Sequence, residues 1–209
     1  MKINNMDDLI FLAITWDVEP NIFPGWELPR WYGLMWAIGI ILGHRILEFI
    51  YKKENKSLQE LNSLTFYLLI GIFLGARLGH VLFYEPEYFL AHPIEILPIK
   101  LEPSFQFTGL AGLASHGGAV GVLIALFLFS RKWKVSYLKL LDWLVIAGCL
   151  CGAFIRLGNL FNSEILGIPS QAPWAFIFTS HDSIPRHPAQ LYEAIFYFSL
   201  FIILFYCCS

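Results

Sequence analysis

Apolar residues concentrate in runs at about 31–50, 64–84, 117–130, 140–161 and 190–206, separated by polar or proline-rich stretches. An α-helix needs roughly 20 residues to cross about 30 Å of hydrocarbon, so the pattern predicts an all-α, polytopic membrane helix bundle. It would have about five spans, outer-face loops and a polar cavity within a single domain over residues 1–209. Glycine recurs every fourth residue at Gly71, Gly75 and Gly79, and again at Gly117 and Gly121, which predicts faces where helices approach closely. Arg77, His80 and Tyr84 fall on a different face of the second span. The fourth run, Gly148 to Gly167, gathers Arg156, Asn159, Asn162 and Glu164 near one end. As a helix it places Gly148, Gly152, Arg156 and Asn159 on one face, a glycine groove leading to a guanidinium and an amide. An arginine inside a membrane helix costs roughly 2.5–3.5 kcal/mol on insertion scales, so it calls for a partner, a cavity or a ligand.

Composition agrees with the pattern. Hydrophobic residues make up 57% and charged residues only 14%, with a mean hydropathy of +0.60, where a soluble domain carries about a quarter charged. Nucleic acid is therefore excluded as a natural partner. Cys149, Cys151, Cys207 and Cys208 match no zinc or haem spacing and read as buried thiols, so neither metal nor cofactor is expected. Residues 1–30 carry Pro20, Pro24 and Pro29 with Trp16 and Trp26, which predicts an irregular outer interfacial segment with half-immersed indoles. The stretch from Asp7 to Trp16 has acidic flanks and no small-residue cleavage site, so it is expected to remain rather than act as a signal peptide.

Charge sets the sidedness. The loops after the first and third spans hold Lys52, Lys53, Lys56, Arg131, Lys132, Lys134 and Lys139, whereas the alternate loops hold little beyond Lys100 and Arg186. The positive-inside rule then places the N-terminus outside and the basic loops in the cytoplasm. Arg77, His116, Arg156, Glu164 and Arg186 would share the outer membrane depth. His116 stands at the mouth of the third span, where unpaired backbone N–H groups favour an anion. Guanidinium matches phosphate with paired hydrogen bonds, so such a cavity suits a lipid headgroup. Arginines there would stabilise charge on a departing phosphate, and a histidine would accept a nucleophile's proton. An enzyme and an anion transporter both fit these residue types.

Several blocks carry a resemblance along nearly the whole chain. They are Trp31-Tyr-Gly33, Gly75-Ala-Arg-Leu-Gly79, Ser115-His-Gly-Gly-Ala-Val-Gly121, Arg156-Leu-Gly-Asn-Leu-Phe-Asn-Ser-Glu-Ile-Leu-Gly167 and Arg186-His-Pro-Ala-Gln-Leu-Tyr-Glu193. In this order the chain resembles the bacterial prolipoprotein diacylglyceryl transferases. The resemblance implies transfer of a diacylglyceryl group from phosphatidylglycerol to the lipobox cysteine of a preprolipoprotein, forming a thioether and releasing glycerol phosphate at the outer face of the inner membrane. It implies an active region of Tyr32, His116, Arg156, Asn159, Glu164 and Gly167, with Arg77, Gly117, Gly118, Arg186, Gln190 and Glu193 contacting substrate beside it. In that reading Arg156 meets the phosphate, Asn159 and Glu164 orient it, and His116 activates the thiol, whose ordinary pKa is about 8.5. Family members continue through further helices that supply another arginine, so an inactive truncated transferase is one alternative.

Two rivals come from other classes. One is a transporter or lipid-binding protein that holds the anion without cleaving it, although no internal repeat is evident. The other is a structural subunit in which Arg77–Glu193 or Arg156–Glu164 pairs only fix helices. No Gly-x-Ser-x-Gly or His-Glu-x-x-His pattern supports a serine or zinc hydrolase.

Overall fold

The computed structural model describes residues 13–26, 28–97, 99–100, 106–107 and 112–208. In chain order these form β1 (Ile14–Trp16), α1 (Trp31–Lys53), α2 (Leu58–Phe83), a short α3 (Pro86–Ala91) and a 3-10 turn (Pro93–Ile96). Then come β2 (Ile99–Lys100), β3 (Gln106–Phe107), α4 (Ser115–Trp133), α5 (Tyr137–Phe161), β4 (Phe176–Phe178) and α6 (Ala189–Cys208). Among the described residues, α1, α2, α5 and α6 are long and apolar enough to cross a membrane by length and composition. The protein is an all-α membrane protein with minor β-pairing. Helix α4 has 19 residues, but Ser115-His-Gly-Gly118 at one end and Arg131 and Lys132 at the other dilute its apolar centre. The expected fifth span is thus a helix that falls outside that measure.

The chain packs as two compact units, Met1–Leu47 with Leu144–Ser209, and Glu48–Trp143. In the second unit, α2 starts at Leu58 rather than near 64 because Ser57 caps it. The Ser57 hydroxyl accepts the Glu60 N–H at 3.1 Å, in the Ser-x-x-Glu spacing of a capping box. Glu60 in turn takes Lys56 Nζ at 3.0 Å. Helices α2 and α4 then meet backbone to backbone. A Cβ on Gly71 would stand 2.7 Å from the Ala125 Cβ, and one on Gly79 would stand 2.7 Å from the Gly117 Cα. Gly75 fits against Gly117 and Gly121 with the same lack of room. The glycine faces read from the sequence are this seam. At its far end Tyr51 is fully buried edge-on to Trp143, and Lys139 reaches Glu54 at 2.5 Å.

The first unit contains an arrangement the sequence did not announce. Residues 14–16 are not irregular; β1 pairs in parallel with β4, in the register Ile14↔Phe176, Thr15↔Ile177 and Trp16↔Phe178. Trp16 is partly buried against the protein. Its indole N–H donates to the Leu160 carbonyl at 3.1 Å, and its ring stacks on Phe176 at 5.4 Å. Leu160, Phe176 and Phe178 form the buried cluster beneath it. The stretch 7–12, expected at the interface, lies outside the described residues. On α5 the Cys151 thiol donates to the Gly39 carbonyl at 2.9 Å, in the space left by Gly39 and Gly43 of α1. Cys149 is buried as expected, but Cys207 and Cys208 are exposed, because they end a helix whose apolar side chains face outward.

The two kinds of glycine make opposite predictions. Gly121→Val places carbon against the Gly71 carbonyl and is expected to destabilise the protein by at least about 3 kcal/mol. Gly148→Ala adds a methyl with nothing within 4 Å and is expected to stabilise by up to about 1 kcal/mol. Thermal unfolding in detergent measures both.

Candidate functional site

In the unit formed by Met1–Leu47 and Leu144–Ser209, polar side chains gather where α5 stops. The helix closes with Asn162 N–H donating to the Gly158 carbonyl at 3.1 Å. The chain then turns through left-handed residues on either side of Glu164, Ser163 at φ 52° and Ile165 at φ 55°. A β-branched residue is an outlier there and costs roughly 1–3 kcal/mol. The bend returns the Glu164 N–H to the Asn159 carbonyl at 2.9 Å. It also presents the carboxylate to two amides: Asn159 Nδ2 donates at 3.0 Å and Asn162 Nδ2 at 3.1 Å. From α6, Gln190 Nε2 donates to the Glu164 carbonyl. Asn159 and Gln190 are buried, so Glu164 is positioned by side chains that themselves have little freedom.

Arg156 stands one turn before Asn159, and its Nε meets Glu193 Oε2 at 2.6 Å. The Arg156 side chain is 27% exposed and that of Glu193 43%, so the pair is open to its surroundings. Tyr32 begins α1 and lies over Gly158, where a Cβ would be 2.9 Å from its ring. Gly167 donates its N–H to the His187 carbonyl at 3.2 Å, and a Cβ there would collide with that carbonyl. The segment entering α6 is therefore held against the strained turn. Arg186 anchors the same segment twice. Its backbone exchanges two 2.9 Å hydrogen bonds with Phe176, and its guanidinium holds Asp182 Oδ2 at 2.5 Å. That hydrogen bond, and then the Ile184 N–H, hold the Asp182 carboxyl below the usual carboxylate range. The Oε1 of Gln190, the Oδ1 of Asn162 and the Nε of Arg186 are buried without a hydrogen-bond partner among the described residues.

The sequence-derived residues thus fall into two groups. Tyr32, Arg156, Asn159, Glu164, Gly167, Arg186, Gln190 and Glu193 belong to the first unit, in and around one turn. Arg156 pairs with Glu193, whereas Glu164 engages amides. Arg77, His116, Gly117 and Gly118 belong to the other unit. There His116 opens α4 with its ring edge-on to Phe83 at 5.3 Å and tilted against Tyr84 at 5.8 Å. Gly117 is in the helix seam, and a Cβ on Gly118 would touch Ala76 at 3.6 Å. Arg77 reaches backbone carbonyls of the loop after α2, Glu95 at 2.6 Å and Ile96 at 2.8 Å.

Sequence reasoning missed four contributors. The Tyr192 hydroxyl accepts the Trp174 indole N–H at 2.7 Å and lies 3.0 Å from His187 Nδ1. Tyr192 and His187 lie inside the block from Arg186 to Glu193, but no local spacing points to Trp174. Asp182 was missed although it stands four residues before its partner Arg186.

A family profile described as prolipoprotein diacylglyceryl transferase matches residues 23–209. A protein of Bacteroides fragilis named phosphatidylglycerol–prolipoprotein diacylglyceryl transferase is 45% identical over 201 residues, covering 94% of this chain and 73% of the relative. Its namesake in Tolumonas auensis is 45% identical over 193 residues, covering 91% and 71%. A third, in Chloroherpeton thalassium, is 44% identical over 190 residues, covering 90% and 68%.

Two outcomes follow from the geometry of the turn and its loop. Ile165→Gly removes the left-handed penalty and is expected to raise thermal stability by roughly 1–3 kcal/mol. The Asp182 contribution is complete above the unfolded carboxylate value of about 3.9 and is lost as pH falls through its lower folded value. Hydrogen exchange at the Phe176 and Arg186 amides should therefore accelerate on acidification, and Asp182→Asn should abolish most of that pH dependence.

Proposed function

We propose a lipid-to-protein transfer for this chain, which belongs to the prolipoprotein diacylglyceryl transferase family. The group moved is the diacylglyceryl of phosphatidylglycerol, the acceptor is the lipobox cysteine of a preprolipoprotein, and the step is the first in lipoprotein maturation. The observation that carries this reading is the open Arg156–Glu193 pair set beside the Asn159–Glu164–Gln190 network.

The chemistry follows from that arrangement. Thiol sulfur attacks the diacylglyceryl carbon bonded to phosphate oxygen. A carbon–sulfur bond forms, the carbon–oxygen bond breaks, and its electron pair remains on the departing glycerol phosphate. A phosphodiester carries one negative charge and the released monoester gains more, so negative charge grows where Arg156 stands. A guanidinium already in place is stabilising in proportion to that growth, which is how a fixed cation lowers a barrier. Phosphate displaces Glu193 from Arg156 as the lipid enters. Asn159 and Glu164 keep the guanidinium's neighbourhood fixed, and Arg186 and Gln190 hold the segment that faces it. His116 receives the thiol proton, a role suited to a group whose ordinary pKa is about 6.5.

The membrane setting supports the same reading. Lys52, Lys53 and Lys56 in one loop and Arg131, Lys132, Lys134 and Lys139 in another mark the cytoplasmic side. We place the N-terminus and the Arg156 turn at the outer face of the bacterial inner membrane, with α4 as a fifth span.

The test uses membranes carrying this chain, phosphatidylglycerol with labelled acyl chains, and a lipobox peptide. Labelled thioether product is expected, reduced about 10²–10³-fold by Arg156→Ala and about 10²–10⁴-fold by His116→Ala. Phosphatidylglycerol binding that Arg156→Ala abolishes, without any thioether product, would replace transfer by lipid binding.

A further inference from the structure

We infer that Arg77 is a positioning residue that sets the place of the His116 imidazole by clamping the chain leading into α4, an inference that rests on the reading of His116 as the thiol base. Arg77 lies on α2, and its guanidinium grips two arms of one loop. Nη2 donates to the Glu95 carbonyl at 2.6 Å and Nε to the Ile96 carbonyl at 2.8 Å, while Nη1 donates to the Gly112 carbonyl at 3.3 Å. The Phe89 ring lies 5.1 Å from its central carbon. The cation is thus directed to backbone acceptors and an aromatic face within its own unit.

The Gly112 arm is the one that matters for His116. Gly112 has φ 68°, and a Cβ there would stand 2.7 Å from both Arg77 Nη1 and the His80 ring. A side chain there would force the Arg77 guanidinium or the His80 ring to move. Two residues later the Ala114 N–H donates to the Ala76 carbonyl at 2.9 Å, and Gly117 then packs on Gly79. Residues 112, 114 and 117 are therefore tied to residues 77, 76 and 79. His116 lies inside that tied stretch, and its ring meets Phe83 and Tyr84 of the same α2 end. The titratable groups around it on that end are Tyr84, which it contacts, and His80, which stacks on Tyr84 at 5.5 Å.

A proton acceptor must stand within about 3 Å of the proton it takes, and a misplacement of about 1 Å costs on the order of 10²-fold in rate. Arginine presents several donors in a rigid planar fork, which is what three separated carbonyls require. Lysine presents one ammonium and cannot span them.

The experiment measures kcat and KM for phosphatidylglycerol, together with the pH profile of kcat/KM, for the full chain in membranes and for Arg77→Lys and Gly112→Ala. Both substitutions are expected to lower kcat by roughly 10–100-fold with KM for phosphatidylglycerol within about twofold, and to shift the acidic limb of the profile. Gly112→Ala leaves every charge in place, so it reports on the clamp even if Arg77→Lys fails to fold. Carbethoxylation of His116, read by mass spectrometry, should change in rate in both. A higher KM with unchanged kcat in Arg77→Lys, and a silent Gly112→Ala, would overturn the inference and make Arg77 a ligand of the lipid phosphate. His116→Gln separates the two levels: full activity there removes the base reading itself, whatever the Arg77 variants do.

Discussion

A polar group carried into an apolar helix has to be satisfied by the protein itself, because hydrocarbon offers it no hydrogen bond. That constraint organises both units. Arg156 is met by Glu193, and Glu164 by two amides, with a third amide on its own carbonyl. In the other unit Arg77 is met by carbonyls of the loop that follows its helix. The solutions differ in what they leave available. The carboxylate partner of Arg156 stands at a partly exposed position, whereas the loop carbonyls on Arg77 are part of the fold and cannot leave.

Glycine supplies the complementary half of the design. Between α2 and α4 it removes side chains altogether, so backbone meets backbone and the helices are fixed in register by shape alone. At Gly167 the same absence of a Cβ lets the segment entering α6 lie against the turn that carries Glu164. In one place the close approach supports a frame; in the other it brings chemistry-bearing residues to within hydrogen-bond reach. The left-handed Ile165 shows that the hydrogen bonds gathered on Glu164, rather than local preference, hold that turn.

The legible part of this fold was the part written in local spacing. Apolar runs located five long helices, four-residue glycine repeats located the α2–α4 seam, and the polar end of the fourth run located the turn around Glu164. What escaped had no local signature. The β1–β4 pairing joins residues about 160 positions apart through three-residue strands, too short to show alternation. Trp174 finds Tyr192 only because the loop between α5 and α6 folds back onto α6. The carbonyls that receive Arg77 are carried by every residue type, so no sequence motif announces them. Cys207 and Cys208 were misread because an apolar neighbourhood means burial in a soluble core, but exposure on the outside of a membrane helix.

The pairing of Trp16 with Phe178 also has a consequence in time. The ribosome adds about 5–20 residues per second, so the partner strand is made roughly 8–32 seconds after the first one. Until Leu160 and then Phe176 are made, Trp16 has neither the carbonyl nor the ring that receive its indole. The early segment waits beside the membrane while α1, α2, α4 and α5 are synthesised. This ribbon closes late in synthesis, and the Leu160–Phe176–Phe178 cluster is covered by Trp16 only when it does.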